Sequence, residues 1–263
     1  MINSNIRLGF IGFGNMGRAI CDGLIKAEAV DPKKIYACAK DWEKLLDNTE
    51  ERGINACEAA EETIDNSDMI IIAVKPYMVR TVLEPVKHLL LGKAVVSIAA
   101  GCDFNTYEDF LIEGTNHIST IPNTPVSVGR GIFVCEKKHS LTDEQLQAFK
   151  NIFSSIAQLE FVESKLLSVA GTLSGCGPAF AAMFIEALGD AGVKYGLTRD
   201  TAYRLAAQMI SGTGAMQIET GQHPGAMKDA VCSPGGTTIR GVSALEEEGF
   251  RTAIIKAIDA IEG

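Results

Sequence analysis

A chain of 263 residues with 46% apolar content can bury a substantial core, as one large domain or two of ordinary size. Its 33 acidic residues outnumber the 24 basic ones, for a formal charge of -9 with no Lys/Arg block, which argues against a nucleic-acid or anionic-membrane surface and leaves any anionic ligand to be held by local geometry. The 7 cysteines are scattered and include no C-x-x-C pair, so neither a disulfide framework nor a metal site is expected, and a reducing cytoplasmic setting is the simplest one.

In chain order, the first element is a strand, RLGFIGF, followed at once by GNMGRAICDGLIKA, where Met16, Ile20 and Leu24 recur every four positions as on a helix. Between them GFGNMG, Gly12 to Gly17, has the G-x-G-x-x-G spacing. In this strand–turn–helix setting it is a dinucleotide pyrophosphate site: Gly12 permits the tight turn, Gly14 lets the backbone approach the phosphates, and Gly17 allows close helix–strand contact. The second strand, KIYACA, ends Ala37-Cys38-Ala39-Lys40. An acid usually stands at that strand end when the ribose hydroxyls of NAD are held. Here Asp41 comes a step late and Lys40 offers a positive charge to a 2′-phosphate, so NADPH is expected over NADH.

MIIIAV and AVVSIAA follow as strands, and the stretches at their ends, Ala73-Val74-Lys75-Pro76 and Ala99-Ala100-Gly101, lie where open α/β sheets bind ligands. Lys75 also reads as an ordinary solvated loop lysine. HIST, GIFVC and LEFV complete a mostly parallel sheet that ends near Val162. Beyond it only helical patterns remain, so a boundary is expected there, giving domains 1–162 and 163–263. A helix is expected to open at Pro178, with proline in its first position, and it is apolar or small on most faces (Phe180, Ala181, Met183, Phe184, Ile185, Leu188). A second such helix spans roughly Arg199 to Glu219. Two helices of this kind are hard for about a hundred residues to bury, so either they form a subunit interface, giving at least a homodimer, or they pack on the sheet domain. Leu173 to Val193 is interrupted by Glu186 and Asp190, and neither a membrane span nor an export signal is expected.

Near the C-terminal end stands VCSPGGTTIRG, Val231 to Gly241. Ser-Pro-Gly-Gly is turn chemistry and could be nothing more. Ile239, Val242 and Leu245 nevertheless mark a helical face, which puts the glycines and threonines at a helix N-terminus with Thr237 or Thr238 as cap. Such an end offers unpaired amides to a small carboxylic acid. The histidines at 88, 117, 139 and 223 have no evident partners, and no H-E-x-x-H or G-x-S-x-G is present, so hydride transfer with the nicotinamide as reagent is the economical chemistry.

GFIGFGNMG, AVKP, SIAAG, IPNTPVSVGRG, LSGCGPAF, GVKYGLTRDTAYRLAAQ and above all HPGAMKDAVCSPGGTTIRGVSALE together resemble the pyrroline-5-carboxylate reductase family over nearly the whole chain. The resemblance implies an α/β fold, an N-terminal Rossmann-type doubly wound sheet followed by an all-α dimerisation domain, often in a ring of dimers. It implies NAD(P)H-dependent reduction of Δ1-pyrroline-5-carboxylate to L-proline, the last step of proline biosynthesis. Thr238 would hydrogen-bond the ring nitrogen, and Ser233, Gly236, Thr237 and Thr238 would hold the substrate. Ile11, Gly12, Phe13, Gly14, Asn15, Met16, Gly17, Ala39, Lys40, Ala73, Val74, Lys75, Pro76, Ala99, Ala100, Gly101 and Asn123 would line the cofactor. Two departures stand out: Ser119 and Ile121 where the family often has Arg and Met before Pro-Asn-Thr-Pro, and Ala60 where relatives often have Asn. The alternatives are a β-hydroxyacid-type dehydrogenase, which shares the opening motif but needs a lysine on a long helix of its second domain, and a non-catalytic nucleotide- or proline-binding relative.

Overall fold

The computed structural model describes residues 5–263. Eight strands, β1 (Leu8–Ile11), β2 (Ile35–Cys38), β3 (Asn55–Ala56), β4 (Met69–Ile72), β5 (Ala94–Ser97), β6 (Asn116–Pro122), β7 (Gly131–Glu136) and β8 (Ala157–Val162), form one sheet in the order β3-β2-β1-β4-β5-β6-β7-β8. Every β-branched run read from the sequence is a strand. β3 escaped because two residues carry no periodicity. All neighbours are parallel except β6 and β7, which pair antiparallel from Thr120↔Cys135 to Pro122↔Phe133.

Strands with both faces covered read as continuous apolar runs, because successive side chains point to opposite faces. In β4, Met69 and Ile71 join one core with Leu8, Phe10, Val96 and Phe133. Ile70 and Ile72 join the other with Ile11, Val95 and Tyr107. The covering helices are α1 (Asn15–Lys26), α2 (Trp42–Arg52), α3 (Ala60–Asp65), α4 (Val79–Leu83), α5 (Phe104–Glu108) and α6 (Asp143–Phe153). The sequence encodes their ends locally: Asp41 caps α2 through Lys44 N (3.2 Å), and Thr142 and Gln145 form a reciprocal capping box at α6.

After β8 come α7 (Leu167–Lys194), α8 (Arg199–Thr220), α9 (Pro224–Ala230), α10 (Thr237–Glu247) and α11 (Phe250–Glu262), with no further strand among the described residues. By internal contacts the chain divides into two compact units, Met1–Pro178 and Ala179–Gly263. One expectation is corrected here: α7 does not open at Pro178 but runs through it from Leu167. Within one chain the long helices are not enclosed: Met183 is 68% exposed, Leu205 58% and Ile218 70%. The stretch Ser164–Lys194, in which an 18-residue window reaches a mean hydropathy of 1.4, is by length and composition apolar enough to cross a membrane. It carries exposed Glu186 and Asp190.

Candidate active site

In this strand order β2 and β4 flank β1 on opposite sides, so the chain reverses direction across the sheet at the carboxyl end of β1. A crevice outside the strand ends at such a point is where open α/β sheets take ligands. The glycine turn lies there, tied to its neighbours by Gly12 N donating to Cys38 O (2.9 Å) and Ala73 N donating to Ile11 O (2.8 Å).

Each glycine behaves differently. Gly12 has φ +90, and a Cβ on it would lie 2.8 Å from the Ala73 backbone. Gly17 approaches the turn itself, where a Cβ would come 3.3 Å from Gly12 O. At Gly14 a Cβ would meet nothing within 4 Å. The first and third glycines serve the fold; the second is needed only if something outside the chain comes close. Gly14 is the N-cap of α1, with no side-chain cap and no acid in the first turn, so the helix start is left to an external anion. These residues fit a dinucleotide pyrophosphate. Arg18, which sequence reasoning passed over, donates to Asn15 Oδ1 (2.7 Å) and sets a cation one turn into that helix. Its spacing, three residues past Asn15, was the available signal.

At the end of β2, Ala39 is half-buried and Lys40 exposed, and among the described residues no carboxylate pairs with Lys40. The acid next in the chain, Asp41, is occupied as the α2 cap. Lys75, also exposed, precedes a 3-10 turn at Pro76–Met78 closed by Met78 N to Lys75 O (2.8 Å). Ala99 to Cys102 is a turn closed by Cys102 N to Ala99 O (3.2 Å), with Gly101 at φ +80. A buried network supports this turn from below: Ser97 Oγ accepts from Tyr107 Oη (2.6 Å) and from Ala99 N (3.2 Å), while Thr120 Oγ1 donates to Ser97 O (2.7 Å). Burial pushes the Tyr107 hydroxyl well above its ordinary pKa, so it stays a donor. Nothing local in the sequence announces this network, because its members lie ten and twenty-three residues apart.

Asn123 stands just past β6 at the same carboxyl edge. Ser119, where the family often has arginine, pairs with Ser97 on β5 and is buried, its Oγ without a partner among the described residues. Ala60 opens α3. Of the first unit's histidines, His117 sits at the opposite end of the sheet, 2.8 Å from Glu108 Oε1, its pKa lowered by burial. His223 caps α9 by accepting from Gly225 N (3.0 Å).

In the second unit, Ser233 to Gly236 is a turn closed by Gly236 N to Ser233 O (3.0 Å), with Pro234 second and Gly235 third at φ +66. The turn delivers the chain into α10. The cap is Gly236, not a threonine: Thr237 and Thr238 are the first two helical residues, no side chain caps the end, and no acid lies in the first turn. Both hydroxyls are thereby free of the capping role expected of them, and both threonines are exposed. A Cβ at Gly236 would run into Ser233 Oγ, which fixes the serine against the turn.

A family described as pyrroline-5-carboxylate reductase dimerisation matches residues 164–262, and one described as NADP oxidoreductase, coenzyme F420-dependent, matches residues 7–101. The pyrroline-5-carboxylate reductase of Treponema pallidum is 45% identical over 259 residues, covering 97% of this chain and 98% of the relative. The chain belongs to the pyrroline-5-carboxylate reductase family. Its Escherichia coli relative is 41% identical over 253 residues, covering 96% of this chain and 94% of its own length. Among solved structures, the Plasmodium falciparum pyrroline carboxylate reductase with NADP bound superposes with a TM-score of 0.88 at 31% identity, over 98% of this chain and 96% of the other. The architecture above is the family's: a Rossmann-like sheet, then a helical dimerisation region. The chain is an oxidoreductase with a nicotinamide cofactor.

Proposed function

We propose that the chain reduces Δ1-pyrroline-5-carboxylate to L-proline, the last step of proline biosynthesis. The observation that carries the reading at the level of residues is the uncapped, acid-free start of α10 behind an open Pro-Gly-Gly turn. The amides around Gly236, Thr237 and Thr238 hold the substrate carboxylate, with Ser233 beside them, and the Thr238 hydroxyl meets the ring nitrogen. The nicotinamide, when bound, supplies a hydride to the C=N carbon. The nitrogen takes one proton, which solvent can provide, so no strong general acid is required. A cofactor-oxidation assay with pyrroline-5-carboxylate, set against a panel of 3-hydroxyacids run in reverse, tests this; turnover of the hydroxyacids alone would overturn it. Against that alternative, α7 carries no lysine before Lys194.

Residues 1–162 hold the cofactor in this reading, and 163–263 supply the substrate loop and the subunit contacts. Ile11 to Gly17 cradle the pyrophosphate, Ala39 and Lys40 take the adenosine ribose, and Ala73 to Pro76, Ala99 to Gly101 and Asn123 line the nicotinamide side. NADPH is preferred because Lys40 is unpaired and Asp41 is spent on a cap. Lys40→Ala should raise the apparent KM for NADPH by about tenfold, the scale of one charge-assisted hydrogen bond, and change that for NADH little. Equal effects on both cofactors would remove Lys40 from 2′-phosphate recognition.

The exposed apolar residues of α7 and α8 are covered by a second copy in a cytoplasmic homodimer, with a ring of dimers as the larger assembly. The family's dimerisation region supports this, since it spans both helices. A charge at Met209, 47% exposed in one chain, should reduce oligomer size or solubility, because an unpaired buried charge is costly. Light scattering that finds the unaltered protein monomeric at micromolar concentration would end this idea.

A further inference from the structure

Pro178 lies inside α7, where it has no N–H to donate to the carbonyl of Ser174 four residues back. That carbonyl is not left empty: Asn123 Nδ2 donates to Ser174 O at 3.0 Å. The same side chain is held at its other end, where Asn123 Oδ1 accepts from Ile132 N (3.0 Å), and Asn123 N donates to Ile132 O (3.2 Å). Both polar ends of a buried amide are therefore bonded within the chain, one to β7 and one to α7. The helix face involved is a single stripe, Gly171, Ser174, Gly175 and Pro178, at helical spacing. A Cβ at Gly171 would collide with Ile121 Cδ1, so the small residues let β6 lie close enough for the Asn123 bond to form.

We propose that Asn123 is a positioning residue that stands in for the missing Pro178 amide, holding α7 at its proline against the ligand-bearing edge of the sheet. This deepens the assignment of Asn123 to the nicotinamide side, and it rests on that reading for its effect on catalysis. The residue acts through Ser174, to whose carbonyl one of its amide hydrogens is committed. The carboxyl end of β6, and with it the cofactor edge, is then fixed relative to a helix that could not otherwise satisfy its own backbone.

The claim is tested by a double-mutant cycle on Asn123→Ala and Pro178→Ala, since alanine in place of the proline brings back the backbone N–H that Ser174 O lacks. Asn123→Ala should lower kcat about tenfold, the scale of one buried acceptor left unmet, with KM for NADPH nearly unchanged. It should also lower the thermal midpoint of the ligand-free protein by about 2 to 4 °C. Pro178→Ala alone should leave kcat near that of the unaltered chain. The double variant should regain at least half of the logarithmic loss in kcat and of the thermal shift, the rest reflecting the lost bond to Ile132. Strictly additive effects, or a rise in KM for NADPH that Pro178→Ala does not relieve, would overturn the proposal. If Asn123→Ala alone yields no soluble protein, soluble recovery of the double variant supports the proposal and continued failure overturns it. The thermal midpoint reads the coupling without any substrate, so a chain inactive on pyrroline-5-carboxylate would sink the functional reading while leaving this one decidable.

Discussion

Gly12→Ala should nearly abolish NADPH binding and destabilise the ligand-free protein, whereas Gly14→Ala should weaken cofactor binding and cost the ligand-free protein far less. At Gly12 the backbone sits at φ +90 and a Cβ would press on the Ala73 carbonyl carbon and oxygen at 2.8 Å. Backbone of this kind cannot swing aside as a side chain would, so strain and crowding together cost about 2 to 5 kcal/mol. If the turn relaxes by moving instead, the amides at the start of α1 leave their anion-binding arrangement. Either route weakens NADPH by about a hundredfold or more. At Gly14 a methyl group meets nothing within 4 Å beyond its own chain neighbours, so the ligand-free protein should lose only the difference between a glycine and an alanine helix cap, on the order of 0.5 kcal/mol. The methyl would occupy only the approach of the phosphates. Calorimetric titration with NADPH beside a thermal melt of each variant separates the two outcomes. A Gly14→Ala variant with unimpaired affinity would show that the pyrophosphate does not come near this glycine.

How much of this was legible in the sequence follows from the range of the interactions. The strands were readable because burial on both faces demands continuous β-branched runs, and the glycine turn because its spacing answers to one strand–turn–helix geometry. α8, capped by Thr198 through Thr201 N (3.3 Å), begins at Arg199 as expected because a cap is a four-residue affair. Pro178 was misread for the complementary reason. Proline favours the first turn of a helix when only local chain is considered, and the partner that lets it sit mid-helix, Asn123, is 51 residues away from Ser174. The threonines of the Pro-Gly-Gly loop were misassigned as caps because Thr is a common cap and Gly a less common one. The backbone turn at Ser233 positions Gly236 to do it. The Tyr107, Ser97 and Thr120 network joins three elements that no local pattern connects.

Thr238→Ala should cost about ten- to two-hundredfold in kcat/KM for pyrroline-5-carboxylate. Thr238 is an exposed residue in the first turn of α10, relieved of capping by Gly236, so its hydroxyl is available to a ligand at the helix end. A hydrogen bond from that hydroxyl to a ring nitrogen that gains basicity as hydride arrives is one to a charged group, worth about 1.5 to 3 kcal/mol. Each 1.36 kcal/mol is about a factor of ten in rate. Thr238→Ser should retain far more activity, because the hydroxyl survives and only a methyl is lost. Neither variant should change the affinity for NADPH, whose contacts are assigned to the glycine turn and the neighbouring strand ends. Neither should melt earlier by more than a surface substitution does, since no side-chain cap is removed. Thr237→Ala provides the control within the same turn: its amide still holds the carboxylate, so its loss should be smaller than that of Thr238→Ala. Should Thr238→Ala turn over the substrate at an undiminished rate with a normal fold, the loop is an ordinary turn leading into a helix, and the ring nitrogen must find its partner elsewhere.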